Sequence, residues 1–390
     1  MKQFMKSDLL HALPDQFFAA LTKKVAARMA AGHDVINLGQ GNPDLPTPPH
    51  IIERLKKAAE NPMNHKYPPF RGQNYLKQAV ASFYKREHGV ELDGDTEVAI
   101  LFGGKAGLVE LPLCLTNPGD TVLVPDPGYP DYWSGVELAK AEMLMMPLEE
   151  KNDFLPDYSL IPIDKAEKAK LMFINYPNNP TGAIANEAFF EETIQFANEH
   201  DICVVHDFAY GSIGFDGKKP LSYLQFPGAK ETGIEIYTLS KTFNMAGWRV
   251  GFAVGNPSVI DAINLYQDHL YVSIFGAIQE AAEEALLSSF ESAEKLRETY
   301  ESRRNVLIAG LQSIDWEVTA PKGSFFAWLK VPNDFTSVTF SDYLLERANV
   351  VVAPGVGFGQ YGEGYVRVGL LTSEERIVEA VERIKKLGLF

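Results

Sequence analysis

The sequence predicts an α/β layered domain with a mostly parallel central sheet, joined to a smaller α+β domain. Three observations predict it. At 390 residues the chain is too long for one small domain and short for three, so two intimate domains are expected. From about residue 95 to 255, short apolar β-rich runs alternate with helix-patterned stretches. The last hundred residues abandon that alternation and open on a long charged helix.

The runs that read as strands are 98–102, 121–124, 171–175, 202–206, 234–239 and 250–254. Each is nearly continuous in hydrophobicity, as strands buried on both faces of a parallel sheet must be. Helical periodicity fills the gaps between them, as with Phe190, Ile194 and Ala197 at i, i+4 and i+7. Strand alternating with helix defines the α/β layer. Towards the C-terminus the pattern predicts one helix over 281–313 and short strands over 325–329 and 365–368. A closing amphipathic helix carries Ile377, Val381 and Ile384. The expected division is 49–285 for the large domain, with 1–48 and 286–390 forming the small one.

Composition narrows the function. With 36 Lys+Arg against 51 Asp+Glu, the formal charge is −15; such a surface repels phosphate backbones, and no basic cluster offsets it, so no nucleic-acid partner is expected. Cys114 and Cys203 are the only cysteines and sit in apolar runs, which predicts inert buried thiols and neither a disulfide framework nor a metal site. Near the N-terminus Asp8 and His11 interrupt any apolar run, so no signal peptide is expected. No run of eighteen apolar residues occurs, so no membrane helix is expected and the cytoplasm is the default location.

Four segments at strand ends carry chemistry. In Ser240-Lys241-Thr242-Phe243-Asn244-Met245-Ala246-Gly247-Trp248-Arg249, a lysine stands at a strand's C-terminal end, where α/β sheets place ligands. Alone it would read as a solvated surface lysine. Asn178-Asn179-Pro180-Thr181-Gly182 follows another apolar run; it is a turn on any reading, and its amide can donate to a phenolate-like oxygen. His206-Asp207-Phe208-Ala209-Tyr210 ends a third. A carboxylate there needs a partner. His206, its neighbour on a strand, points to the opposite face, so a protonated ring nitrogen of a cofactor is the better candidate. Gly103-Gly104-Lys105-Ala106 opens a helix and suits a phosphate. It has neither Walker nor dinucleotide spacing, and alone it is no more than a turn.

Together these segments resemble the class I aminotransferases, pyridoxal-phosphate enzymes of fold type I. The resemblance spans almost the whole chain, through Leu38-Gly39-Gln40-Gly41-Asn42-Pro43-Asp44, Tyr67 with Phe70-Arg71-Gly72, Asp126-Pro127-Gly128-Tyr129, Asn179-Pro180-Thr181-Gly182 and Tyr365-Val366-Arg367-Val368-Gly369. Within the family it resembles the Bacillus-type transaminases of methionine salvage, which act on 4-methylthio-2-oxobutanoate.

The resemblance implies the roles. Lys241 would hold pyridoxal 5′-phosphate as a Schiff base and shuttle a proton. Asp207 would pair with the ring nitrogen, while Tyr210 and Asn179 would hydrogen-bond the ring's 3-oxygen. Arg249, Thr238, Ser240 and the amides of Gly104, Lys105 and Ala106 would hold the phosphate, and Tyr129 would stack on the ring. Tyr67 would reach the phosphate of a neighbouring subunit, implying a homodimer with shared active sites. Arg367 would clamp the substrate's α-carboxylate, a bidentate task suited to guanidinium, and the Gly41 backbone and Asn179 would also bind the substrate. The reaction implied is ping-pong transfer of an amino group between an amino acid and a 2-oxo acid. No metal is implied.

The chain departs from the family in two places. Phe208 stands where many relatives carry an acidic residue. No match exists for the second arginine of dicarboxylate-specific relatives, which favours neutral or apolar side chains. Phe17, Phe18 and Phe275 are candidate walls, but base rates place such aromatics in the core, so they are not counted in the site. The alternative reaction is a lyase on the same cofactor, since fold does not fix chemistry. A cofactor-sensing regulator would need an attached DNA-binding domain, for which a resemblance starting near residue 38 is expected to leave no room.

Overall fold

The computed structural model describes residues 2–14 and 17–390. β1 (Ile36–Asn37) precedes a seven-stranded sheet. That sheet is built from β2 (Val98–Leu101), β3 (Thr121–Asp126), β4 (Glu142–Pro147), β5 (Ala169–Ile174), β6 (Cys203–Asp207), β7 (Gly233–Thr238) and β8 (Gly251–Gly255), in the order β2-β8-β7-β6-β5-β3-β4. β8 runs antiparallel to β2 and β7; every other pairing is parallel. β3, β5, β6 and β7 therefore all end at one edge, so Asp126, Asn175, Asp207 and Thr238 leave the sheet on the same side.

Both faces of this sheet are buried. Along β5, Met172 and Ile174 join one core with Phe190 and Tyr237, while Leu171 and Phe173 join the opposite core with Leu111 and Ile263. The period-two alternation of a strand sends successive side chains to opposite cores, which explains the unbroken apolar runs in the sequence. Six of the seven strands were expected within one or two residues. β4 was not: Glu-Met-Leu-Met-Met-Pro contains no β-branched residue, and the strand lies at the sheet's edge with most of its side chains partly exposed.

A third core gathers much of the rest. β9 (Phe326–Lys330), β10 (Val350–Val351), β11 (Ala353–Pro354) and β12 (Tyr365–Gly369) follow in the chain. β11-β12-β9 form an antiparallel sheet, and β10 pairs in parallel with β1. Ile36 and Leu38 share a core with Phe325, Phe340, Val366 and Ile377, so the N-terminal strand is tied to the C-terminal part. The closing helix, Glu374–Lys385, is capped by Ser373 and buries Ile377, Val381 and Ile384 as its periodicity predicts. The single helix expected over 281–313 is two, Gly276–Leu287 and Glu291–Gln312. Ser288 turns extended between them (ψ 170°), a break that periodicity does not register. No helix among the described residues is long and apolar enough to cross a membrane.

Candidate active site

The strand exits converge on a cavity of about 740 Å³. Twelve of the fourteen residues expected in the site line it: Gly41, Gly104, Lys105, Tyr129, Asn179, Asp207, Tyr210, Thr238, Ser240, Lys241, Arg249 and Arg367. Ala106 and Tyr67 are not among the lining residues. Ala106 lies one residue further into the helix, where only its N–H is at issue. Tyr67 is 89% exposed and is not brought to the cavity of its own chain.

At the floor, Asp207 ends β6 and is buried. Tyr132 donates to its Oδ2 at 2.7 Å. Burial raises the carboxyl's pKa, opposed by the Tyr132 hydroxyl, by the charge of nearby His206 and by the Ala209 backbone N–H. His206 faces the other way, its Nδ1 2.8 Å from the buried Glu235 carboxylate, so the strand geometry removes it from Asp207 as expected. Beside the floor stands Lys241, in a short helix capped by Thr238. Its Nζ donates to Gly41 O at 3.2 Å, and burial, with Arg367 nearby, pulls the amine down to about 8. The Gly41 loop is itself held by Arg303, which grips Asp44 with two bonds of 2.9 Å.

One wall is an anion cradle. The helix Gly104–Leu115 begins with no side chain capping it, and exposed N–H groups of that kind attract anions. Arg249 stands alongside, with Nη1 on Ala246 O at 2.8 Å. Gly103 has φ +80°, which disfavours other residues, and a Cβ there would lie 2.4 Å from Arg249 Nη2 and displace the guanidinium. Thr238 Oγ1 donates to Ser240 Oγ at 2.8 Å on the same rim.

The opposite wall carries Arg367, on β12. Its Nη1 donates to Asn179 Oδ1 at 2.9 Å and its Nη2 to Gly39 O at 3.2 Å, while Nε has no partner. Aromatic rings surround it, Phe326 at 3.9 Å, Phe358 at 4.6 Å and Phe18 at 5.9 Å from Cζ. Burial lowers its pKa to about 10.

The structure corrects one omission. Phe17 and Phe18 line the cavity, whereas Phe275 lies outside it, stacked beside His65. Trp133, Phe326 and Phe358 also line it, as does Asp131, whose Oδ1 holds Lys105 Nζ at 2.8 Å. Tyr132 was missed as well. The run Tyr129-Pro130-Asp131-Tyr132-Trp133 at a strand exit was the available signal for Asp131, Tyr132 and Trp133. For Phe17 and Phe18 there was none, because an apolar helix face reads alike whether it covers a core or a cavity. Cys114 and Cys203 lie elsewhere, and burial pushes both thiols up to about 12.

A buried amine, a buried carboxylate, an anion cradle and a buried guanidinium around one cavity define an enzyme that handles a small phosphorylated cofactor and a carboxylate substrate. The chain belongs to the family Aminotransferase class I and II, whose model matches residues 33–384. It is accordingly a pyridoxal-phosphate-dependent aminotransferase, moving an amino group between an amino acid and a 2-oxo acid. Over 388 residues it is 67% identical to the L-glutamine–4-(methylsulfanyl)-2-oxobutanoate aminotransferase of Bacillus subtilis (strain 168), covering 100% of this chain and 98% of that protein. The apo structure of BacF from the same species superposes with a TM-score of 0.96 at 51% identity, covering 100% and 99% of the two chains. A double mutant of Thermus thermophilus aspartate aminotransferase superposes at 0.92, with 30% identity and coverage of 99% and 100%.

Proposed function

We propose that this aminotransferase works by ping-pong transfer on uncharged substrates, with 4-(methylsulfanyl)-2-oxobutanoate as acceptor, methionine as product and glutamine as a donor. The carrying observation is the cover over Arg367. Phe17, Phe18, Phe326 and Phe358 make it apolar. Among the described lining residues the cations are Lys105, Lys241, Arg249 and Arg367. Lys105 is paired with Asp131, Arg249 lies on the anion cradle, and Lys241 and Arg367 have their own tasks. No further cation awaits a second carboxylate. The 67% identical relative, named for glutamine and that oxo acid, supports the same reading.

The residues present fit pyridoxal 5′-phosphate. A buried carboxylate with a phenol as its side-chain partner suits a protonated ring nitrogen, and the uncapped helix beside Arg249 suits a phosphate. When bound, the cofactor supplies a carbonyl for the amine and a ring that withdraws electrons from the substrate's Cα. Asp207 holds a proton at the ring nitrogen. Tyr210 and Asn179 hydrogen-bond the 3-oxygen, and Tyr129 covers the ring. Arg249, Thr238, Ser240 and the N–H groups of Gly104, Lys105 and Ala106 take the phosphate. Lys241 Nζ would hold the cofactor and would move the proton at the substrate's Cα. Arg367 anchors the α-carboxylate, with the Gly41 backbone beside it.

The same reading assigns residues 49–285 to cofactor binding and 1–48 with 286–390 to the smaller domain; the packing of Ile36 and Leu38 with Phe325, Val366 and Ile377 supports joining the two ends. It also makes the enzyme a cytoplasmic homodimer. Tyr67, with Phe70 and Met63 nearby, is exposed, and each chain's Tyr67 completes the other's phosphate site. Light scattering should give twice the chain mass, and Tyr67→Ala should weaken cofactor binding by about tenfold, the size of one hydrogen bond to a charged group. A monomer with full cofactor affinity would refute the shared site.

Substrate class is tested by comparing acceptors. An ionised side-chain carboxylate entering the apolar cover without a partner costs several kcal/mol, whereas each buried methylene contributes about 0.8 kcal/mol. 4-(Methylsulfanyl)-2-oxobutanoate should exceed oxaloacetate in kcat/KM by at least about 100-fold. Equal or reversed preference in a side-by-side assay would defeat the substrate assignment and leave aminotransfer standing.

A further inference from the structure

We infer that Asp126 is a positioning residue for the substrate arginine: it latches the loop 355–362 to the end of β3 and thereby keeps Phe358 against Arg367. The inference rests on the reading of Arg367 as the carboxylate anchor.

Asp126 is 2% exposed, and no cation pairs with it among the described residues. Its charge is met by one loop. Gln360 N–H donates to Oδ2 and Tyr361 N–H to Oδ1, each at 3.0 Å. Burial raises the carboxyl's pKa, and these two N–H groups oppose that rise. Gly359 has φ +129°, and a Cβ there would stand 2.0 Å from Asp126 Oδ1; the loop backbone is pressed onto the carboxylate. Two residues further along β3's exit, Gly128 N–H donates to Phe358 O at 2.8 Å. Moving the loop away would strip the carboxylate of both N–H donors, and bonds to a charged acceptor are the stronger kind, so the charge makes the contact strong.

What the latch holds is Phe358. Its ring stands 4.6 Å from the Arg367 guanidinium and 5.1 Å from Phe18. Arg367 Nε has no hydrogen-bond partner, and the rings of Phe326 and Phe358 pack over the guanidinium at 3.9 and 4.6 Å from Cζ, so they help to place it. Loop position thus becomes arginine position. The Asp126-Pro127-Gly128-Tyr129 motif then does two jobs, Tyr129 facing the cavity and Asp126 holding the loop across it.

Asp126→Asn keeps the volume but turns an NH₂ towards an N–H donor, removing one charge-assisted bond. KM for the 2-oxo acid should rise about tenfold and kcat should stay within about threefold. Affinity for pyridoxal 5′-phosphate, read by absorbance titration of the apo-enzyme, should not change. Gly359→Ala attacks the contact from the other side and should give the same split, and the double variant should be no worse than either single one. Arg367→Lys in the same assay should raise KM further. An unchanged KM in Asp126→Asn beside a raised KM in Arg367→Lys overturns the latch alone. If neither variant moves KM, the anchor reading falls and the latch with it. Cofactor affinity falling in step with KM would mark a merely structural role and overturn the proposal. Should Asp126→Asn fail to fold, Gly359→Ala decides by the same readings.

Discussion

Replacing Lys241 by alanine should lower turnover by on the order of 10⁴-fold or more, while the variant still binds pyridoxal 5′-phosphate. The loss is that of a positioned acid–base group, which alone contributes up to about 10⁴-fold, together with the covalent attachment. Binding should survive because Arg249, Thr238, Ser240 and the uncapped start of Gly104–Leu115 are untouched. The pH dependence has a definite sign. Burial lowers the amine to about 8 from 10.5, so in the apo-enzyme at pH 8 about half of Lys241 is the neutral nucleophile, against about 0.3% for an unperturbed lysine. Amine-selective labelling of apo-enzyme should therefore reach half its plateau rate at Lys241 near pH 8. In the loaded wild type, borohydride reduction and peptide mass mapping should place the cofactor on Lys241. An adduct on another lysine, or full turnover in Lys241→Ala, would sink the assignment.

The sheet was legible because parallel strands buried on both faces leave continuous apolar runs, and β5 shows why, with alternate side chains entering different cores. The site was legible for a related reason. Asn179, Asp207 and Lys241 each follow such a run, and parallel strands must deliver their exits to one edge. That Arg367 faces Asn179 at 2.9 Å across 188 positions could not be read from spacing; only the family resemblance put both in one site. Tyr132, whose hydroxyl holds Asp207, stands in the run 129–133 at a strand exit, but a tyrosine in an amphipathic helix reads as core. Phe17 and Phe18 were hidden for the same reason, since a helix face covering a cavity has the composition of one covering a core. Edge strand β4 and the break at Ser288 escaped because both are decided by tertiary surroundings rather than local preference. The proposed sharing of Tyr67 between two subunits concerns a second chain, and within one chain Tyr67 is simply exposed.

Asp207→Ala should reduce kcat by on the order of 10²- to 10³-fold, the size found when one group matched to developing charge is removed. KM for either substrate should change far less, because Asp207 lies on the floor and Arg367 on the opposite wall. An interaction that strengthens as negative charge develops appears in kcat rather than KM. The substitution leaves the Tyr132 hydroxyl without its 2.7 Å acceptor, at a stability cost of about 1–3 kcal/mol, so the fold should persist with a lower melting temperature. Asp207→Asn separates the two effects. Its amide oxygen can still accept from Tyr132, which should restore most of the lost stability, yet without a negative charge it cannot hold a proton at the ring nitrogen, so kcat should stay low. Asp207→Glu keeps the charge at a shifted position and should recover part of kcat. The order expected for kcat is wild type, Glu, then Asn and Ala together, while melting temperature should place Asn close to wild type. If Asn restored kcat along with stability, Asp207 would matter for packing and the ring-nitrogen proton would have to be held by another group.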